Sequence, residues 1–246
     1  MNRSSGSPPM GSLAGPCQDA RSMAKNPTSP ALPRRGRSMT IRERILDAAR
    51  LEFAEKGLAG ARVDDIAARA EANKRLIYAY YGNKEALWLT VLETVYAAKR
   101  DEERALNVDA LPPPEAMARL VAFNLRYTMA HPDYVALVNQ ENIHRASYLQ
   151  RSERLRGLYT PLLDSLRSVL ERGVAAGVFR QGVDPLQLYV TIVGLGHYYV
   201  ANRHTLAAIF GPGMNDEAAL AAREKHCIDV VLGYLQPFAD PPRTAI

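Results

Sequence analysis

The run VDDIAARAEANKRLIYAYYGNKEAL, residues 63–87, decides the fold. Val63, Ile66, Ala67 and Ala70 fall at i, i+3, i+4 and i+7, the spacing that sets one apolar stripe along one face of a helix. The pattern breaks at Glu71-Ala72-Asn73. Asn73 is a good N-cap, because its side-chain carbonyl can accept from an amide that the first helical turn leaves unpaired. Beyond it Ile77 and Tyr81 face inward, while Lys74, Arg75, Leu76 and Tyr78 open a short second helix with two cations and a phenol turned outward. Two short helices joined by a three-residue turn form a helix-turn-helix, whose second helix can enter a major groove.

Upstream, residues 40–56 (TIRERILDAARLEFAEK) predict a supporting helix. Thr40 and Glu43 stand three apart, as in a capping box. Ile45, Ala49 and Phe53 repeat every four residues on the buried side, and Gly57 ends the helix. Residues 1–38 are rich in Ser, Gly and Pro without apolar periodicity and predict a disordered basic arm ending in Arg34-Arg35-Gly36-Arg37. Such an arm can follow a phosphate backbone or enter a minor groove; a solvated tail carries the same residues.

The overall charge of +5 is uneven: residues 1–39 carry +5, residues 40–84 carry +2, and the remainder −2. A basic end on a weakly acidic body suits a polyanion bound at that end. No apolar run is long enough for a membrane span. Cys17 and Cys227 lie far apart, which argues against a disulfide scaffold and predicts a reducing cytoplasm.

Taken together, RERILDAARLEFAEKG, VDDIAARA, the turn and LIYAYYGNKEAL resemble the DNA-binding region of the TetR family of transcriptional repressors, over about residues 40–92. The resemblance implies an all-α protein. A helix-turn-helix domain would occupy residues 39–84, and a helical ligand-binding and dimerisation domain residues 85–240, working at the bacterial nucleoid. It assigns base reading to Lys74, Arg75 and Leu76, phosphate contacts to Tyr78, Tyr80 and Lys84, and a backbone contact to Arg62, with Asn73 at the helix start. Two residues depart from the family pattern. Glu71 stands where Gly is usual, at a position tending toward positive φ, and Arg62 stands where Ser or Thr is usual.

From residue 84 to about 105 a long helix continues with Leu87, Trp88, Val91, Leu92, Val95 and Tyr96 on its apolar face; the family resemblance makes it the link between head and body. Later segments are all helical: residues 115–130, 132–145, 152–176 with a kink or restart at Pro161, 184–208 opening on Asp184-Pro185-Leu186-Gln187, and 216–235. The last two carry the stripes Leu188, Ile192, Leu195, Tyr199 and Ile228, Val231, Leu232, Leu235, which the resemblance assigns to a homodimer interface and which serve equally as intramolecular core. Gly194 and Gly196 would permit close helix approach.

The resemblance also implies a cavity, for which Phe123, Tyr127, Asn142, Tyr159, Tyr189, His197 and Tyr198 are candidates, suited to an aromatic or amphipathic small molecule. Glu141 and His144 have the i, i+3 spacing of di-metal bundles, but no second such pair or other catalytic signature accompanies them, so neither cofactor, metal site nor enzyme activity is expected. The expected partners are an operator in double-stranded DNA, a second copy of the chain and a small-molecule ligand, with no membrane. The expected function is a ligand-released repressor on a pseudo-palindromic operator. An activator or a ligand-independent regulator is the alternative, with a ferritin-like helical metalloenzyme as the remote one.

Overall fold

Local signals set the helix starts in the computed structural model, which describes residues 39–237; the arm of residues 1–38 lies outside them. Thr40 caps α1 (Ile41–Gly60) through a reciprocal box: Thr40 Oγ1 accepts from the Glu43 amide at 3.2 Å, and Glu43 Oε2 accepts from the Thr40 amide at 2.9 Å. Gly57 interrupts α1 with φ +66°, and a Cβ there would lie 2.8 Å from Gln140 Oε1. After α2 (Val63–Arg69), α3 (Lys74–Tyr81) starts at Asn73, whose side chain accepts from the Arg75 amide. Asn83 caps α4 (Lys84–Arg104) in the same way.

The body comprises α5 (Pro113–Ala130), α6 (Pro132–Ile143), α7 (Glu153–Ala175), α8 (Pro185–Ala201), α9 (Arg203–Phe210) and α10 (Glu217–Leu235), with short 3-10 turns between some of them. No strand occurs among the described residues. Asp184 caps α8, accepting from the Gln187 amide at 2.7 Å. Two expectations are corrected. Of the kink or restart expected at Pro161, the restart does not occur, since α7 continues through it as one helix. The helix expected over residues 184–208 is divided at Asn202, which closes α8 and opens α9.

Two apolar clusters organise these helices. One joins the buried faces of α1–α4 to Leu125, Tyr134, Leu137, Leu155 and Val200, so packing crosses the boundary drawn at residues 84/85. The other fills the space among α5, α7, α8 and α10 around Met117, Leu166, Val169, Ile192 and Val231. Both use the apolar stripes that helical periodicity creates. No helix of the described residues is long and apolar enough to cross a membrane.

Candidate nucleic-acid interface and buried charge cluster

α2 and α3 meet through Ile66, Ala67 and Ile77, all buried, which turns the first residues of α3 outward. Lys74 and Arg75 are exposed, as are Tyr78 and Tyr80. Lys74 Nζ pairs with Asp64 Oδ1 at 2.8 Å, and that hydrogen bond holds the ammonium above the ordinary lysine range while Arg62 opposes it. An exposed pair of this kind contributes little to stability and exchanges readily for a phosphate. Arg62 is exposed beside it and makes no capping bond to α2.

Three assigned residues are engaged elsewhere. Asn73 uses its carbonyl as a helix cap. Leu76 is half-buried against the head core, whereas Lys74 and Arg75 beside it are exposed. Lys84 Nζ donates to the Ala61 carbonyl at 3.1 Å, tying the start of α4 to the α1–α2 link. Tyr81 is buried and donates to the Arg42 carbonyl at 2.8 Å, which fixes the end of α3. Glu71 has φ +49°, and its carboxylate lies 3.5 Å from Arg44 Nη1.

In the body, an unusual charge cluster lies between the apolar clusters. Lys99 is 1 % exposed and Arg100 2 % exposed, and Glu103 and Asn124 are buried beside them. Lys99 Nζ sits over the rings of Tyr134 and Tyr127 at 5.1 and 5.6 Å. The Arg100 guanidinium lies over Tyr159 and Tyr189 at 5.2 and 5.7 Å. Tyr96 closes the cage, with its ring edge-on to Tyr134 at 5.6 Å. Burial, reinforced by the Arg100 charge and opposed by Glu103, pushes Lys99 down to about 7. Burial also raises the Glu103 carboxyl and pushes Tyr96 up to about 12.

Of the pocket candidates, Tyr127, Tyr159 and Tyr189 pack around these two side chains, and Phe123 lies tilted against Tyr127 at 5.6 Å between centroids. His197 is half-buried 3.1 Å from Asn139 Oδ1, and burial together with Lys99 lowers its pKa. Two candidates are corrected. Asn142 is exposed and donates to its own helix at Val138, and Tyr198 is 62 % exposed on the outside of α8. Lys99, Arg100 and Glu103 were missed, although they continue the Trp88, Leu92, Tyr96 stripe by steps of three or four, where a charge is out of place. Glu141 is buried as a structural acceptor, taking Trp88 Nε1 at 3.1 Å and the amides of Tyr148 and Leu149, while His144 is exposed.

Five residues of the dimerisation stripes are corrected too: Leu188, Ile192, Tyr199, Val231 and Leu235 are buried inside the single chain, while Leu195, Ile228 and Leu232 are half-buried against the same core and keep some outward surface. Side chains already out of water have little area left for a partner. The apolar face left outside runs along Leu186, Val190, Gly194 and Tyr198 of α8, at successive i+4 steps, and along Val230, Gly233 and Tyr234 of α10. Gly196 meets the Leu125 backbone at 3.3 Å from a built Cβ, while a Cβ on Gly194 would face open space.

Known proteins share both parts. Residues 45–91 match the bacterial regulatory proteins of the tetR family, and residues 113–231 match the tetracyclin repressor-like C-terminal domain. The chain is 36 % identical over 180 residues to the HTH-type transcriptional repressor NicS of Pseudomonas putida, covering 73 % of this chain and 85 % of that one. It is 23 % identical over 205 residues to the HTH-type transcriptional regulator RutR of Escherichia coli, covering 83 % and 95 %. Among solved structures, a transcriptional regulator of Streptomyces coelicolor superposes with a TM-score of 0.61 at 26 % identity, over 80 % of this chain and 98 % of that one. FadR of Bacillus subtilis, solved with stearoyl-CoA, shares the fold with a TM-score of 0.58 at 18 % identity, over 78 % and 98 %.

Proposed function

This chain belongs to the TetR family of bacterial regulatory proteins and is a DNA-binding regulator of transcription; from that premise we propose that it is a homodimeric repressor, released from a pseudo-palindromic operator by a small molecule. The observation that carries the reading is the start of α3, where Lys74, Arg75 and Tyr78 stand exposed on a helix whose other face is locked into the head. One eight-residue helix reads few base pairs, and two copies related by a two-fold axis double the site and make it palindromic. The outer face of α8 and α10 supplies an apolar surface for that second copy.

Release requires a ligand that binds better to the conformer whose recognition helices are misplaced for DNA; equal affinity for both conformers would shift nothing. The buried Lys99 and Arg100 lie on α4, the helix that begins at the head. Nothing in the proposal requires catalysis, and the protein would work in the cytoplasm beside its DNA.

Selection of bound DNA from a random pool, using the full chain, tests the proposal. Enrichment of an inverted repeat supports it. Enrichment of a single half-site, or of nothing, overturns it.

A further inference from the structure

Two basic side chains are buried side by side on α4. Among the described residues Lys99 and Arg100 have one carboxylate in ion-pair contact between them, Glu103, its Oε2 lying 2.6 Å from Arg100 Nη1, so a protonated Lys99 is left without a counter-ion. The Arg100–Glu103 contact lacks hydrogen-bond geometry. The three guanidinium nitrogens of Arg100, Glu103 Oε1 and Asn124 Oδ1 are buried and make no hydrogen bond of good geometry among the described residues, although the Tyr189 hydroxyl approaches Arg100 and Asn124 approaches Glu103. Buried polar groups are normally satisfied, and an uncompensated buried cation is costly. Five tyrosines stabilise the cations through their ring faces or close the cage around them, yet a ring face cannot accept the planar fork of donors that a guanidinium presents.

A cavity of about 210 Å³ opens against this cluster between α4, α5 and α7. Arg100 and Glu103 stand on its wall, and Leu120, Leu158, Leu162 and Leu166 supply apolar surface. Its other charged neighbours are Arg104, which is exposed and paired with Asp101, and the exposed Asp109. Drug-sized sites occupy roughly 300–1,000 Å³, so this volume limits an occupant to about one ring.

We propose that the effector is a small organic monoanion, a carboxylic acid on a one-ring body, whose carboxylate takes the Arg100 fork while its body lies along the leucines of α5 and α7. The proposal rests on the ligand-released reading above. A carboxylate matches Arg100 in two parallel hydrogen bonds and supplies the negative charge that a protonated Lys99 lacks. It also favours the protonated form of Lys99, so binding strengthens the cation–tyrosine contacts on α4 and gives the anion a route to the helix that carries the head.

The test uses the full-length protein with benzoate, phenylacetate and 4-hydroxybenzoate, each beside its primary amide, and inorganic phosphate as an anion without an organic body. At saturation at least one acid raises the melting temperature by about 3–6 °C, while amides and phosphate do not. Arg100→Gln weakens acid binding by at least about tenfold. The acid–amide comparison on the unaltered chain stands even where the variant folds poorly. Acids that stabilise no more than their amides, phosphate that equals the acids, or acid affinity unchanged in a folded Arg100→Gln would each overturn the proposal. Binding of an acid that leaves a selected operator bound sinks the release mechanism and upholds the anion site. Release by an amide when no acid binds sinks the anion site and upholds release.

Discussion

Glu71 holds φ +49°, in the left-handed region that costs a side-chain-bearing residue about 1 kcal/mol. Its carboxylate finds an exposed partner in Arg44, which returns little. Glu71→Gly relieves the strain and adds unfolded-chain entropy, and these oppose each other. The melting temperature should therefore stay level or rise by up to about 3 °C; a clear fall in calorimetry would show that the carboxylate itself holds the turn. Lys99 supplies a pH signature. Its pKa falls from the ordinary 10.5 to about 7 on folding, so between those values the unfolded chain binds a proton that the folded chain has released. Stability accordingly increases as pH rises from about 7, by at most about 1.4 kcal/mol per pH unit. The gain ends near pH 10, where buried tyrosines with raised pKa values begin to act in the opposite direction. Urea midpoints from pH 7 to 9 should climb in the parent and stay flat in Lys99→Met; parallel slopes would reject the assignment.

At the scale of the element, α3 owes its position to burial on one side and its chemistry to exposure on the other. Lys74→Ala with Arg75→Ala should weaken operator binding about 10- to 100-fold if the two cations read bases. Because both side chains are exposed, the melting temperature should hardly move. Unchanged footprints would reject the base-reading role. The body reaches the head by two elements. α4 was expected from the family resemblance, whereas α6 emerges from packing: it lies against α1, Asp133 pairs with Arg50, and Glu141 accepts from Trp88 of α4. Tyr134 of α6 and Lys99 of α4 are in contact, so the two elements that reach the head also meet at the buried charges.

For the whole molecule, the outer face of α8 and α10 governs assembly. Val190, 57 % exposed, and Gly194, with open space before it, lie on that face and outside the core. Val190→Lys with Gly194→Glu should leave helical content intact and yield a monomer by light scattering at micromolar concentration, with operator affinity lost. A dimer in the double variant would place the interface elsewhere. Much of this architecture was legible in the chain. The Thr40–Glu43 box, the Asn73 cap, the positive φ at Glu71 and the Asp184–Gln187 start are written in residues within one helical turn of each other, where local hydrogen bonding decides the outcome. The resemblance to known regulators was legible for the same reason, since the helix-turn-helix is a contiguous run. Other features depend on neighbours distant in sequence. Helical periodicity defines a stripe without naming its partner, so Leu188, Ile192 and Val231 could be read as interface until α5 and α7 were seen to bury them. Lys99 and Arg100 carry no local mark of burial beyond their place on an apolar face; tyrosines from four other helices create it. The sequence by itself determined the helices, their caps and the reading head, because those follow from short-range backbone chemistry. Only the tertiary structure decided which faces meet and which charges lose their water, because desolvation is a property of the assembled fold.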